Sequence, residues 1–269
     1  MSDLPRLLMG SLWLRPYVFA FLGLHLVGAS ALFGWRRTGV FTLLTWSLAF
    51  AAETSSIRTG VPFGWYYYVP TTADRELWIA GVPFFDSISF PFLLVSSYGL
   101  AWWLLGGPQG ENGTSSGIRQ RPSRTHHLFV TTVLFVLADV IIDPIALRGD
   151  RWFLGRIYGY PEPGVYFGIP VANFLGWGVV GLLATALYHT WERRQSELPT
   201  VTFRGRALLS PGLYFGVLAF NLAVTFALKE WRLGLCGVLL ALAVAAMTVR
   251  AWTCSKALGV TPRREGVVS

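Results

Sequence analysis

Residues 137–146 read LADVIIDPIA. In this otherwise apolar run Asp139 and Asp143 stand at i, i+4 spacing, so on a helix they share one face. Ionisable groups at membrane depth are costly, and they are usually retained for function, facing a cavity or a partner. Two carboxylates this close in a poor dielectric resist joint ionisation. The pair then presents a carboxylic acid beside a carboxylate. The acid can protonate a weakly basic substrate, and the carboxylate can take a proton from water. Glu53, in AAETSSIRTG (51–60), is a competing proton donor. Asp86, in GVPFFDSISF (81–90), and Asn173, in GIPVANFLGWG (168–178), are further polar residues in apolar surroundings. Asn173 is a candidate to position a water.

Each of these residues also has an ordinary structural role open to it. Asp143 precedes Pro144 and can close a helix at the membrane edge. Asp139 can bond to backbone or to Arg148, Glu53 can pair with Arg58, Asp86 can sit at the water boundary, and Asn173 can cap a helix. Trp65, Tyr66, Tyr68, Tyr166 and Trp177 are candidate substrate contacts, because an aromatic face stabilises a cation by roughly 0.5–2 kcal/mol. Taken singly, each is better explained by the aromatic belt of a membrane protein.

Other chemistries find little support. His25, His126, His127 and His189 form no cluster with metal-ligand spacing. Cys236 and Cys254 lie near opposite ends of one expected helix, too far apart for a disulfide. No Gly-rich phosphate motif follows a strand, since no strand is expected, and no G-x-S-x-G elbow is present. No metal or other cofactor is called for.

The elements that position these residues follow from composition. The chain has 269 residues, 53% hydrophobic and 13% charged, with 12 Trp, 10 Tyr and 19 Phe. Soluble domains carry roughly a quarter of charged residues. Backbone groups in lipid must be satisfied locally, which helices achieve. The expected fold is all-α: one polytopic membrane domain over residues 1–269. Seven spans of roughly 20 residues are expected at 16–35, 39–57, 79–105, 127–147, 167–190, 210–228 and 232–252. Pro83 and Pro91 interrupt the third. Arg36 and Arg37 follow the first like a stop flank, not a cleavage site. Residues 106–126 read as a flexible polar loop and 253–269 as a polar tail.

The net charge of +8 lies mainly in short connections, which suits lipid headgroups and argues against nucleic acid. A small excess of Lys and Arg favours a cytoplasmic C-terminus; the expected location is a prokaryotic cell membrane. With helices alternating in direction, Glu53, Asp86, Asp139, Asp143 and Asn173 all fall toward one membrane surface. The Gly-, Pro- and aromatic-rich connections 58–70 and 151–170 lie there too.

Three stretches carry a resemblance: AETSSIRTGVPFGWYYY (52–68), ADVIIDPIALRGDRWF (138–153) and YFGIPVANFLGWG (166–178). Their order and spacing resemble the membrane carotenoid hydratases of the bisanhydrobacterioruberin hydratase type, over about residues 45–190. Asp86 and the long polar loop depart from that pattern. The resemblance implies an integral membrane enzyme that adds water to the terminal double bond of an acyclic carotenoid, giving a tertiary alcohol. It implies the lipid bilayer, the carotenoid, water and other enzymes of carotenoid biosynthesis as partners. Two further readings stay open. Intramembrane acids also mark proton-coupled transporters, although no paired broken helices are visible. A non-catalytic carotenoid- or polyprenoid-binding protein is the other. A retinal photoreceptor is excluded, because the last span has no lysine.

Overall fold

The computed structural model describes residues 3–106, 122–196, 201 and 203–258. Eight α-helices occur among them: α1 (Asp3–Leu14), α2 (Pro16–Phe33), α3 (Trp35–Thr59), α4 (Phe84–Gly106), α5 (Arg124–Ala146), α6 (Val171–Arg193), α7 (Leu209–Ala227) and α8 (Trp231–Leu258). The last seven are long and apolar enough to cross a membrane. The chain is a polytopic membrane helix bundle. Helix α1 precedes the first expected span. Pro16 separates it from α2, taking a first helical position where its missing N–H costs nothing.

Helix α4 is the core of the bundle and packs against α2, α3, α5, α7 and α8. It begins five residues later than expected, at Phe84, because Trp78–Ile79 (β2) and Val82–Pro83 (β3) form a two-residue antiparallel hairpin ahead of it. Pro91 stays inside the helix. Helix α5 likewise continues through Pro144 to Ala146, so Asp143 does not end it. Arg148 Nη1 donates to the Pro144 carbonyl at 2.6 Å and Trp152 Nε1 to that of Ile145 at 3.1 Å, serving carbonyls the ending helix leaves open.

A second ladder, also unexpected in an all-helical reading, pairs Tyr67–Tyr68 (β1) with Tyr158–Gly159 (β4), in the register Tyr67↔Gly159 and Tyr68↔Tyr158. It ties the α3–α4 connection to the α5–α6 connection. Helix α6 starts at Val171, after a tight turn in which Gly164 pairs with Gly168 and Tyr166 with Ile169. A Cβ at Gly164 would lie 2.0 Å from the Ile169 carbonyl carbon, so only glycine permits this approach.

A buried ion pair braces the same end of the bundle. Arg15, between α1 and α2, meets Glu76 through Nη2–Oε1 at 3.2 Å and Nε–Oε2 at 3.3 Å. The guanidinium also donates to the Leu154 carbonyl and lies 4.4 Å from the Phe85 ring centroid. One cation thus ties the start of α2 and both long connections to the start of α4.

Helix α8 runs past the expected end of the last span to Leu258, so the start of the expected 253–269 tail is helical. Its remainder lies outside the described residues, as do residues 107–121 of the expected 106–126 loop. Gly106 and Arg124–His126 belong to helices.

Candidate active site

Glu53 sits near the end of α3, Asp86 at the start of α4, Asp139 and Asp143 near the end of α5, and Asn173 in the first turn of α6. Alternating helix direction brings all five to one end of the bundle, beneath the two β1–β4-linked connections. Glu53, Asp139 and Asn173 are buried.

The carboxyls form two pairs, each bridged by one polar side chain. The Tyr68 hydroxyl lies 2.6 Å from Asp86 Oδ2 and 3.1 Å from Glu53 Oε1. A phenol has one hydrogen to give. It therefore satisfies one carboxylate, and the second contact is a hydrogen bond only when that carboxyl carries a proton and donates to the phenol oxygen. Ser87 donates to the other oxygen of Glu53. In the second pair, Asn173 Nδ2 spends its two hydrogens on Asp139 Oδ2 at 3.0 Å and Asp143 Oδ2 at 2.6 Å. Asp139 Oδ1 is buried without a hydrogen-bond partner.

The structural alternatives take other partners. Arg58 donates to the carbonyls of Thr54 and Ala80, not to Glu53. Arg148 pairs with Glu230 at 3.0 Å, not with Asp139. Helix α6 is capped at Pro170, and Asn173 turns inward.

Glu53, Asp86, Asp143 and Asn173 line a partly open pocket of about 370 Å³, together with Phe63, Tyr66, Tyr68, Phe90, Tyr158, Tyr160 and Trp177. Asp139 stands behind Asp143. Strand geometry explains the tyrosines. Side chains alternate along an extended chain, so Tyr66 and Tyr68 face inward while Trp65, 58% exposed, and Tyr67, 44% exposed, face outward. Across the ladder Tyr158 and Tyr160 face inward by the same rule. Trp65 therefore lies apart from the cavity. So does Tyr166, whose ring packs on Phe167 and Phe174 in the turn before α6.

Tyr158, Tyr160, Phe63, Phe90 and Ser87 are absent from the candidates the sequence supplies. Only the tyrosine-rich RIYGY segment (156–160) hinted at two of them. Burial, and next the neighbouring carboxyls, push the hydroxyls of Tyr66, Tyr68, Tyr158 and Tyr160 up from the ordinary phenol value. All four stay neutral donors. Phe90 stacks on Trp177 at a centroid distance of 4.2 Å, which adds an aromatic wall. The site can hold a proton, hold a water and face a cation with aromatic rings.

A family model described as carotenoid biosynthesis protein matches residues 14–251. The chain belongs to this carotenoid biosynthesis family. The match embraces every residue of the site. Bisanhydrobacterioruberin hydratase of Haloarcula japonica is 28% identical over 153 residues, 57% of this chain and 45% of the relative. The aligned region thus spans less than half of that relative's length. No solved structure matches. Family membership assigns the chain to carotenoid biosynthesis, and seven of its helices are long and apolar enough to cross a membrane.

Proposed function

We propose that this protein hydrates the terminal double bond of an acyclic carotenoid end group, producing a tertiary alcohol. The observation that carries the reading is the convergence of two bridged carboxyl pairs and four neutral tyrosines on one cavity. The similarity to a bisanhydrobacterioruberin hydratase supports it.

Alkene hydration starts with the harder step, proton transfer to a very weak base. It requires an undissociated acid held close and away from bulk water. Asp143 is the donor, because it lines the cavity while Asp139 backs it. Its proton goes to the less substituted alkene carbon and leaves a tertiary cation on the other. Trp177, Phe90 and Tyr66 offer faces to that cation, each worth roughly 0.5–2 kcal/mol. Water adds through oxygen, and the Glu53–Asp86 pair accepts the proton the oxonium loses. A water in the cavity relays that proton from the Glu53–Asp86 pair back to Asp143, so both carboxyl groups regain their starting states and the sum is alkene plus water to alcohol. Asn173 holds the Asp139–Asp143 pair in register. The reaction needs no cofactor, and the C-terminus lies on the cytoplasmic side of a prokaryotic cell membrane.

Expression of Asp143→Asn, Asp139→Asn and Glu53→Gln in cells that accumulate lycopene tests the reading by pigment chromatography. A positioned proton donor contributes about 10²–10⁴-fold, so Asp143→Asn is expected to lose hydrated product by at least about 100-fold. Full hydration in all three variants would remove acid catalysis by these carboxyls.

A further inference from the structure

We infer that a second, apolar hollow between α2, α4, α5 and α7 holds the polyene of the substrate, whose end group passes between Asp86 and Asp143 into the polar cavity. The identity of the occupant rests on the hydratase reading. The hollow spans about 730 Å³, part of it open to its surroundings. Phe21, Phe92, Leu93, Ile142, Val217 and Phe220 form much of its wall.

Continuity argues for the substrate. Asp86, Asp143, Tyr158 and Trp177 line both hollows, so the carboxyls stand at the junction of a wet chamber and a greasy one. The polar cavity suits an end group and a water. Its carboxyls and hydroxyls make it a poor host for a long hydrocarbon. In the apolar hollow several side-chain donors are already engaged: Ser89 donates to the Asp86 carbonyl at 2.7 Å, Asn221 to that of Val217 at 2.9 Å and Trp152 to that of Ile145 at 3.1 Å. Its aromatic rings interlock, Tyr17 stacking on Phe220 at 5.7 Å and Phe21 meeting Phe92 at 5.7 Å. Such flat, rigid walls suit a conjugated chain better than a flexible acyl tail.

Cysteine protection tests the assignment without a disruptive substitution. Val217→Cys is made in a Cys236→Ser, Cys254→Ser background and reacted with a membrane-permeant maleimide in phospholipid nanodiscs. Bound lycopene is expected to slow labelling at least tenfold, and added phospholipid alone to leave it unchanged. Unaltered labelling while lycopene is still hydrated would overturn the polyene site and leave the hydratase reading standing. Equal protection by phospholipid would make the hollow an acyl-chain site, and no labelling at all would close it to any ligand; either result refutes the inference. Protection by lycopene without hydration by the unsubstituted protein would instead remove the hydratase reading and keep the polyene site. In parallel, Ala146→Val and Ala146→Phe narrow the hollow beyond Asp143 and are expected to lower lycopene hydration in that order. Full activity of Ala146→Phe would count against the site.

Discussion

A single amide sets the geometry of the Asp139–Asp143 pair. Asn173 reaches both carboxyls with one nitrogen, at 3.0 and 2.6 Å, and hydrogen bonds to charged groups are worth about 1.5–3 kcal/mol each. Asn173→Ala is therefore expected to lower hydration by about 10- to 100-fold, with the membrane fraction still containing folded protein; steady-state assay beside a thermal melt checks it. An unchanged rate would show that the acids need no positioning. At this scale much was legible from residue type. An acid in an apolar run is expensive enough to need a reason, which marked Glu53, Asp139 and Asp143 and, beside them, Asn173. Tyrosines give no such signal, since a buried tyrosine and a belt tyrosine are alike in sequence. Tyr158 and Tyr160 could be assigned only once the facing strand was known, and Trp65 faces away for the same reason.

Two short connections determine which side chains enter the cavity, through the β1–β4 register and the start of α6. The membrane helices were readable because a bilayer demands long apolar runs. Their ends were less so. Pro83 sits in a two-residue hairpin that delays α4, and Pro170 delays α6 to Val171. Ladders of two residues carry no periodicity to detect. Gly176 shows how tightly α6 meets the connection above it. A Cβ there would lie 2.4 Å from Phe63 Cδ1 and 2.8 Å from its Cα. Backbone cannot yield as a flexible side chain can, and overpacking costs about 1–3 kcal/mol. Gly176→Ala is expected to lower the melting temperature and, by displacing Phe63 from the cavity wall, the hydration rate as well. Wild-type stability and turnover together would contradict this packing.

Across the whole molecule, the bundle places carboxyls from three helices at one end and joins them to an apolar hollow running among four. The alternation of helix direction was visible in the sequence; the hollows were not, because empty space is set by packing among segments distant in the chain. The family places the chain in carotenoid biosynthesis, the long apolar helices suit a membrane, and the proposed water addition rests on the paired acids. Oxygen origin tests that combination most directly. Purified protein in lycopene-loaded liposomes is incubated in water labelled with heavy oxygen, and the pigment is weighed by mass spectrometry. The account predicts a product heavier by one labelled water, lost on Asp143→Asn. An unlabelled hydroxyl, no hydrated product, or undiminished labelling in Asp143→Asn would contradict it.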